Sequence, residues 1–186
     1  MRTSTPRIAK ILVLVLVVAI FCLAGLAQAP TPKDVWQPFK VFLGSWKGQG
    51  SGEPGTGDYE RSYRFIFNER FIEVKNRSSW RPTAQNPPGE IHEDLGYISY
   101  DKARKTFVLR QFHIEGFVNQ YRLESISEDG RRIVFVSEAI ENIAPGWRAK
   151  ETYQIAGRDE FTETFELAPP GQEFAAYSTA TLKHVK

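Results

Sequence analysis

The chain has 186 residues, with 24 basic and 22 acidic side chains, a formal charge of +2 and one cysteine. This length predicts a single domain, and the 41% apolar fraction is sufficient for a packed core. One cysteine excludes an intrachain disulfide framework and any multi-cysteine metal site, and the nearly balanced charge gives no indication of nucleic-acid binding.

The first 29 residues have the pattern of a secretory signal peptide. Three basic side chains precede an apolar run, 11–26, and small residues follow it. The run has 16 residues, fewer than the roughly 20 that span a bilayer, so an uncleaved anchor is the less favoured alternative. The sequence predicts cleavage after Ala27 or Ala29, export to the periplasm or the extracellular space, and no stable membrane insertion afterwards.

Removal of residues 1–29 would change the composition of the protein. The mature chain would have 157 residues, a formal charge of −1 and no cysteine. A chain without cysteine suits an oxidising compartment, where a free thiol is a liability. We divide the mature chain into a proline-bearing lead-in with a helical turn, 30–43, and a domain of short strands, 44–186.

The domain consists of short segments with alternating apolar and polar residues, separated by turn-forming residues. Asp129-Gly130 is one such turn signal. Ten strands are predicted, at Gly44–Gly52, Tyr59–Phe67, Phe71–Trp80, His92–Tyr100, Thr106–Glu115, Phe117–Ser127, Arg132–Glu141, Trp147–Ile155, Glu160–Leu167 and Phe174–Val185. Ten consecutive strands favour an all-β, antiparallel up-and-down barrel of the lipocalin or fatty-acid-binding-protein kind, because closure removes exposed strand edges.

Two neighbouring predicted strands carry polar residues on both faces. Gln111, His113 and Glu115 alternate with apolar residues, and Asn119 and Tyr121 follow on the next strand. Such a pattern is expected when one face meets solvent and the other lines a wet or ligand-filled cavity. The alternative is a barrel packed solid, with these residues outside. The first interpretation predicts a small apolar or amphipathic ligand in the lumen, and the second a cofactor-free interaction or structural domain.

The chain shows no sequence signature of catalysis. The histidines, His92, His113 and His184, are widely separated and lack zinc-site spacing. No serine–histidine–aspartate arrangement indicates hydrolysis. An enzyme acting on a lumen-bound substrate is therefore the third and least supported hypothesis, in which His113 or Glu115 would be needed for turnover.

The first predicted strand has the motif G-x-W-x-G-x-G, formed by Gly44, Trp46, Gly48 and Gly50. This motif, together with the segment 92–97, the ten-strand layout and the closing segment 180–183, resembles nitrobindin and related haem-binding β-barrel domains. The resemblance implies a lipocalin-like barrel whose tryptophan plugs the closed end. It also implies a cation from the last strand over the indole, a role that Lys183 could fill.

The same relatives hold a ferric haem in a shallow apolar pocket and are credited with nitric-oxide binding or peroxynitrite isomerisation. Their iron ligand is a histidine shortly before the last-strand motif, and in this chain Tyr177 occupies that position. Haem is therefore a candidate ligand and not a consequence of the resemblance. If haem binds, we expect Tyr177 or His113 as the axial ligand, Trp46 closing the floor, and His92 and Tyr97 near the mouth.

Overall fold

Ten β-strands and one short helix form the described part of the protein. The computed structural model describes residues 34–82 and 87–186, and the unit discussed below is Val35–Lys186. The predicted signal peptide, 1–29, lies outside the described residues. A 3-10 helix, Gln37–Phe42, precedes the strands β1 (Gly44–Gly52), β2 (Gly55–Ile66), β3 (Phe71–Trp80), β4 (Glu90–Asp101), β5 (Thr106–His113), β6 (Val118–Ile126), β7 (Arg132–Glu141), β8 (Arg148–Ile155), β9 (Glu160–Ala168) and β10 (Ala175–His184).

The strands form one closed antiparallel barrel. Each strand pairs with its neighbours in the chain, and β1 pairs with β10 to close the ring. The predicted ten-stranded up-and-down barrel with a short helical turn is thus confirmed. The largest shift in a strand start is at β2, which begins at Gly55 and not at Tyr59. The glycine-rich segment continues the ladder, with Gly52 opposite Gly55.

The glycines of β1 allow the barrel to close. A β-carbon at Gly48 would collide with the carbonyl oxygen of Thr181 on β10, and one at Gly52 would collide with that of Tyr177. Because β1 and β10 approach closely on the lumen side, only a residue without a side chain fits at these positions. Gly50 of the motif meets the carbonyl oxygen of Thr179 in the same way, so closure accounts for Gly48 and Gly50 of the G-x-W-x-G-x-G motif.

Aromatic side chains fill the end of the barrel next to the 3-10 helix. Phe39 and Phe42 of this helix are almost completely buried, although the sequence analysis placed them in a lead-in separate from the barrel. The ring of Phe39 lies 4.6 Å from that of Phe107, and the ring of Phe42 lies 5.0 Å from that of Phe161. Ring pairs at these separations stabilise a core beyond the area they bury. This end is closed and solidly packed.

Trp46 lies in the same closed end, as the resemblance implied, but the side chain of the last strand that packs on it is His184 and not Lys183. The indole is 1% exposed and donates a hydrogen bond from Nε1 to the Phe42 carbonyl at 2.6 Å. The ring of His184 packs edge-on against it, with centroids 4.8 Å apart. Lys183, the expected cation, is exposed and is 3.6 Å from Glu160. Side chains alternate along β10, so Lys183 faces outward and cannot cover the indole.

The described ranges contain no helix long and apolar enough to cross a membrane.

Candidate functional site

The opposite half of the barrel is hollow. A cavity of about 380 Å³ opens between the ends of the strands, in the size range of ligand pockets. The alternative of a barrel packed solid is therefore wrong for this half, where apolar and polar side chains together face an open space. Apolar residues line one part of the cavity: Phe117, Ile140, Ile143, Trp147, Phe165 and Leu167.

A buried ion pair lies in the inner part of the cavity wall. Arg61 of β2 donates from Nη2 to Glu163 of β9 at 2.6 Å, and the two side chains are 6% and 10% exposed. Further hydrogen bonds run from Nη1 to the Arg77 carbonyl and to the Ser78 hydroxyl. Burial alone would lower the pKa of Arg61, but the Glu163 carboxylate raises it, so the guanidinium is charged. The pair is fixed and not available as a free reactive group.

Glu151 of β8 is a second buried acid beside this pair. It is 6% exposed, and its Oε2 has no hydrogen-bond partner among the described residues. Burial, together with the charges of Glu163 and Asp94, raises the pKa of Glu151 well above its ordinary value. A neutral carboxylic acid can donate as well as accept a hydrogen bond. Glu151 therefore presents a polar group to a ligand in the cavity.

A chain of hydrogen bonds links the two histidines of the cavity. The Nδ1 of His92 is 2.7 Å from Glu115 Oε1, and its Nε2 is 3.2 Å from Nδ1 of His113. Asn119 Nδ2 is 3.1 Å from Nε2 of His113 and donates to Tyr121. A carboxylate only accepts, so the neutral form of His92 that donates from Nδ1 to Glu115 accepts at Nε2 from Nδ1 of His113. The remaining nitrogen of His113, Nε2, then carries a lone pair.

The environment keeps His113 neutral. Burial lowers the pKa of His113 to about 4, and its ring stacks on Phe117 with centroids 4.1 Å apart. Burial also acts to lower the pKa of His92, but Asp94 and Glu115 raise it above its ordinary value. At neutral pH the imidazole of His113 can therefore act as a ligand of a metal centre.

Asp94 completes this polar wall. Its side chain is 6% exposed and accepts hydrogen bonds from Asn76 Nδ2 at 2.9 and 3.1 Å. Gln111 Nε2 lies 3.5 Å away, and His92 Nε2 lies 3.8 Å away. The carboxylate is thus held by amides and faces two imidazoles.

Several buried polar atoms of the cavity wall have no partner among the described residues. A buried polar atom without a hydrogen bond costs free energy, so such a cluster marks a surface that water or a ligand satisfies. The atoms are Tyr59 OH, Asn76 Oδ1, Trp80 Nε1, Gln111 Oε1, Asn119 Oδ1 and Glu151 Oε2.

Tyr177 also lines the cavity, at a bulge in β10. The bulge lies between Ala176 and Ser178, and the tyrosine ring packs edge-on against Phe165 at 5.8 Å. Burial raises the pKa of Tyr177, and the nearby acidic side chains of Glu90 and Glu53 raise it further. The hydroxyl is therefore protonated at neutral pH, and ionisation to a tyrosinate is opposed.

The sequence analysis named five residues for a haem site, and three of them line the cavity: His92, His113 and Tyr177. The structure does not bring Tyr97 to the mouth, because Tyr97 alternates with the inward-facing Ile98 and lies on the outer face of β4. Trp46 is at the closed end and does not line the cavity. The donors that could hold a haem iron are His113 Nε2 and the Tyr177 hydroxyl.

The sequence analysis missed the buried acids and the arginine, although their phase in the strands signals them. Arg61 lies between Tyr59 and Tyr63 in the inward phase of β2, and Glu163 lies between two phenylalanines in the inward phase of β9. A charged residue in phase with buried aromatic residues indicates a buried charge that needs a partner.

A more open depression of about 600 Å³ lies over β1–β5. Its charged side chains already form exposed ion pairs, Lys47 with Glu60 and Arg77 with Glu93. It is a surface groove with satisfied charges, and the lumen is the better candidate site.

Comparisons with known proteins agree with this architecture. The family model described as "THAP4-like, heme-binding beta-barrel domain" matches residues 35–184. The crystal structure of Rv2717c from M. tuberculosis is similar at a TM-score of 0.58 and 19% identity, covering 85% of this chain and 99% of that one. The redesigned β-barrel b11L5F_LGL is similar at a TM-score of 0.41 and 10% identity, with 78% and 93% covered. No curated protein matched the sequence.

Proposed function

Since the chain belongs to the THAP4-like haem-binding β-barrel family, we propose that its lumen binds haem, with His113 as the axial ligand. The observation that supports this proposal is the position of His113 at the wall of a cavity of about 380 Å³, with a neutral imidazole whose Nε2 has, within 34–82 and 87–186, a single hydrogen-bond partner, the amide of Asn119. A bound haem would supply an iron centre for small gaseous ligands.

The hydrogen bonds of His113 fit the role of an iron ligand. Metal-ligating histidines usually donate their second ring N–H to a carboxylate or another acceptor, which fixes the tautomer. Here Nδ1 of His113 donates to His92, and His92 donates to Glu115. Iron at Nε2 would displace only the hydrogen bond from Asn119.

Tyr177 fits the same role less well. A tyrosine ligates ferric iron as the anion, and the buried, acidic surroundings of Tyr177 raise its pKa. Its ring packs against Phe165, within the apolar part of the wall. We therefore assign Tyr177 to packing against the macrocycle, together with the apolar side chains of the mouth.

Haemin titration followed by absorption spectroscopy tests the proposal. We expect a Soret band shifted from that of free haemin in the wild type and in Tyr177→Phe, and loss of that shift in His113→Ala. The matched control is His184→Gln, which removes a histidine at the closed end and should keep the shift. An unshifted wild-type spectrum would contradict haem binding. A shift that survives in His113→Ala and disappears in Tyr177→Phe would contradict the assignment of the ligand.

We propose in addition that the barrel is exported. The proposal is supported by the basic, apolar and small-residue order of the first 29 residues. The mass of the protein recovered outside the cytoplasm should correspond to a start at Gln28 or Pro30. Recovery of the uncleaved chain in the cytoplasm would contradict it.

A further inference from the structure

We propose that His92, Asp94 and His113 form a binding site for a single divalent first-row transition-metal ion, held directly by side chains of the lumen wall. The three residues lie on the neighbouring strands β4 and β5, with Asp94 opposite His113 in the ladder. Two imidazoles and one carboxylate are a ligand set that binds zinc and non-haem iron.

The donor atoms are already spaced for a common ion. At a metal–ligand distance of about 2.1 Å, two donors in tetrahedral geometry lie about 3.4 Å apart. His92 Nε2 lies 3.2 Å from His113 Nδ1 and 3.8 Å from Asp94 Oδ2. All three donor atoms lie within 4.8 Å of one another. Small side-chain rotations would therefore bring them into coordination distance.

The surroundings orient two of the three ligands. His92 donates from Nδ1 to Glu115 at 2.7 Å, an arrangement in which a carboxylate holds a metal-binding histidine in place. Asp94 accepts two hydrogen bonds from Asn76, so its carboxylate is also held. Holding the ligands in advance lowers the entropy lost when an ion binds.

The third ligand, His113, has a suitable partner for its other nitrogen. When an ion occupies Nδ1, the proton of neutral His113 resides on Nε2 and needs an acceptor. Asn119 Oδ1 is buried without a partner among the described residues, and the side-chain amide is 3.1 Å from Nε2. Rotation of the amide by half a turn places Oδ1 there, where it accepts from His113 and from Tyr121.

The charge and the exposure of the site also suit a cation. Among the described residues no lysine or arginine donates a hydrogen bond to Asp94, although the charge of Arg61 acts on it, and the Asp94 side chain is 6% exposed. The three ligands line the cavity of about 380 Å³. An ion held by three protein ligands would keep a coordination position open to this space for water or a small ligand.

This inference does not rest on the proposed function. The ion requires Nδ1 of His113, whereas haem iron requires Nε2, and a neutral imidazole has only one unprotonated nitrogen. The ion site also uses Asp94, which has no part in the haem proposal.

Titration of the chelator-treated protein with Co²⁺ tests the site, because low-coordinate cobalt absorbs visible light far more strongly than the hexaaquo ion. We expect this absorption in the wild type and its loss in His92→Ala and Asp94→Asn. Zn²⁺ should displace Co²⁺. The matched control is Glu93→Gln, which removes an exposed carboxylate next to Asp94 on the outer face and should bind as the wild type does.

A second variant covers the case in which Asp94→Asn fails to fold. Glu115 is 42% exposed, and its change to Gln leaves the three ligands intact but weakens the support of His92. We expect roughly 10- to 100-fold weaker Zn²⁺ binding by calorimetry in Glu115→Gln. Absence of the cobalt spectrum in the wild type, or its survival in folded His92→Ala, would overturn the proposal. Neither result depends on haemin.

Discussion

The ion pair between Arg61 and Glu163 is buried in the wall of the hollow half of the barrel. The Arg61 side chain is 6% exposed, and its Nη2 lies 2.6 Å from Oε1 of Glu163. The carboxyl group of Glu151 is buried in the same wall. Arg61→Met would leave two acids in this wall without the cation. Removing one partner of a buried pair costs about 3–5 kcal/mol, because the other charge has lost its compensation.

The expected loss of stability can be measured by urea or thermal unfolding at pH 7. For a domain of this size, a loss of about 3–5 kcal/mol corresponds to a fall in Tm of roughly 6–20 °C. The matched control is Lys47→Met, which breaks an exposed pair with Glu60 whose side chains are 63% and 47% exposed. Exposed pairs contribute about 0–1 kcal/mol, so this control should unfold nearly as the wild type does.

The double variant Arg61→Met/Glu163→Met distinguishes a lost partner from a lost contact. Replacement of both charges by apolar groups of similar volume is often neutral or stabilising. We therefore expect the double variant to be more stable than Arg61→Met alone. The reasoning would be refuted if Arg61→Met had the same free energy of unfolding as the Lys47→Met control. It would also be refuted if adding Glu163→Met to Arg61→Met lowered the free energy of unfolding further.

Three other predictions concern Glu151, the β1–β10 seam and the competition between ligands. The raised pKa of Glu151 means that the folded state binds a proton more tightly than the unfolded state does. The contribution of Glu151 to stability should therefore fall as pH rises from about 4.5 through the raised pKa, by up to about 1.4 kcal/mol per pH unit, and it is read as the difference between the wild type and Glu151→Gln. Glu151→Gln should flatten this slope and stabilise the protein at pH 7 in urea titrations, and an unchanged slope would exclude Glu151 as its source. Gly48→Ala should lower the free energy of unfolding by about 1–3 kcal/mol, because the new methyl group meets the backbone of Thr181. The control is Gly157→Ala, which has open space around it and should have a free energy of unfolding within about 0.5 kcal/mol of that of the wild type. Equal stability of these two variants would show that the seam tolerates a side chain. If both lumen proposals hold, Zn²⁺ should weaken the binding of haemin to the wild type but not to Asp94→Asn, as measured by the Soret shift. Haemin binding to the wild type that Zn²⁺ leaves unchanged would show that the two ligands do not share His113.

The strands could be predicted from the sequence because their period-two alternation and their turn residues are local signals. The start of β2 could not be predicted in this way, because Gly55 has no side chain to contribute to an apolar pattern and pairs with Gly52 through the backbone alone. The helical turn was predicted, but the burial of Phe39 was not. A short 3-10 helix has too few residues to show which of its faces meets a barrel.

The polar lining was predicted where it alternates with apolar residues, as at His113. The position of Tyr97 was not, because the sequence does not state which of two adjacent residues faces inward. The contact between His92 and His113 depends on the register of β4 against β5, in which Asp94 stands opposite His113. Register is a property of two strands together, so a single strand's pattern cannot show it.

The aromatic rings around Phe39, Phe42 and Trp46 close one end of the barrel, and the ligand cavity lies at the other end. Rings of the 3-10 helix pack into one end of the barrel, whereas the cavity wall holds buried polar atoms that have no partner among the described residues. Local opening at the mouth should therefore need less free energy than global unfolding. Exchange of exposed residues at the mouth should therefore cost less stability than exchange of the buried rings at the closed end, so a different ligand could be accommodated on the same framework.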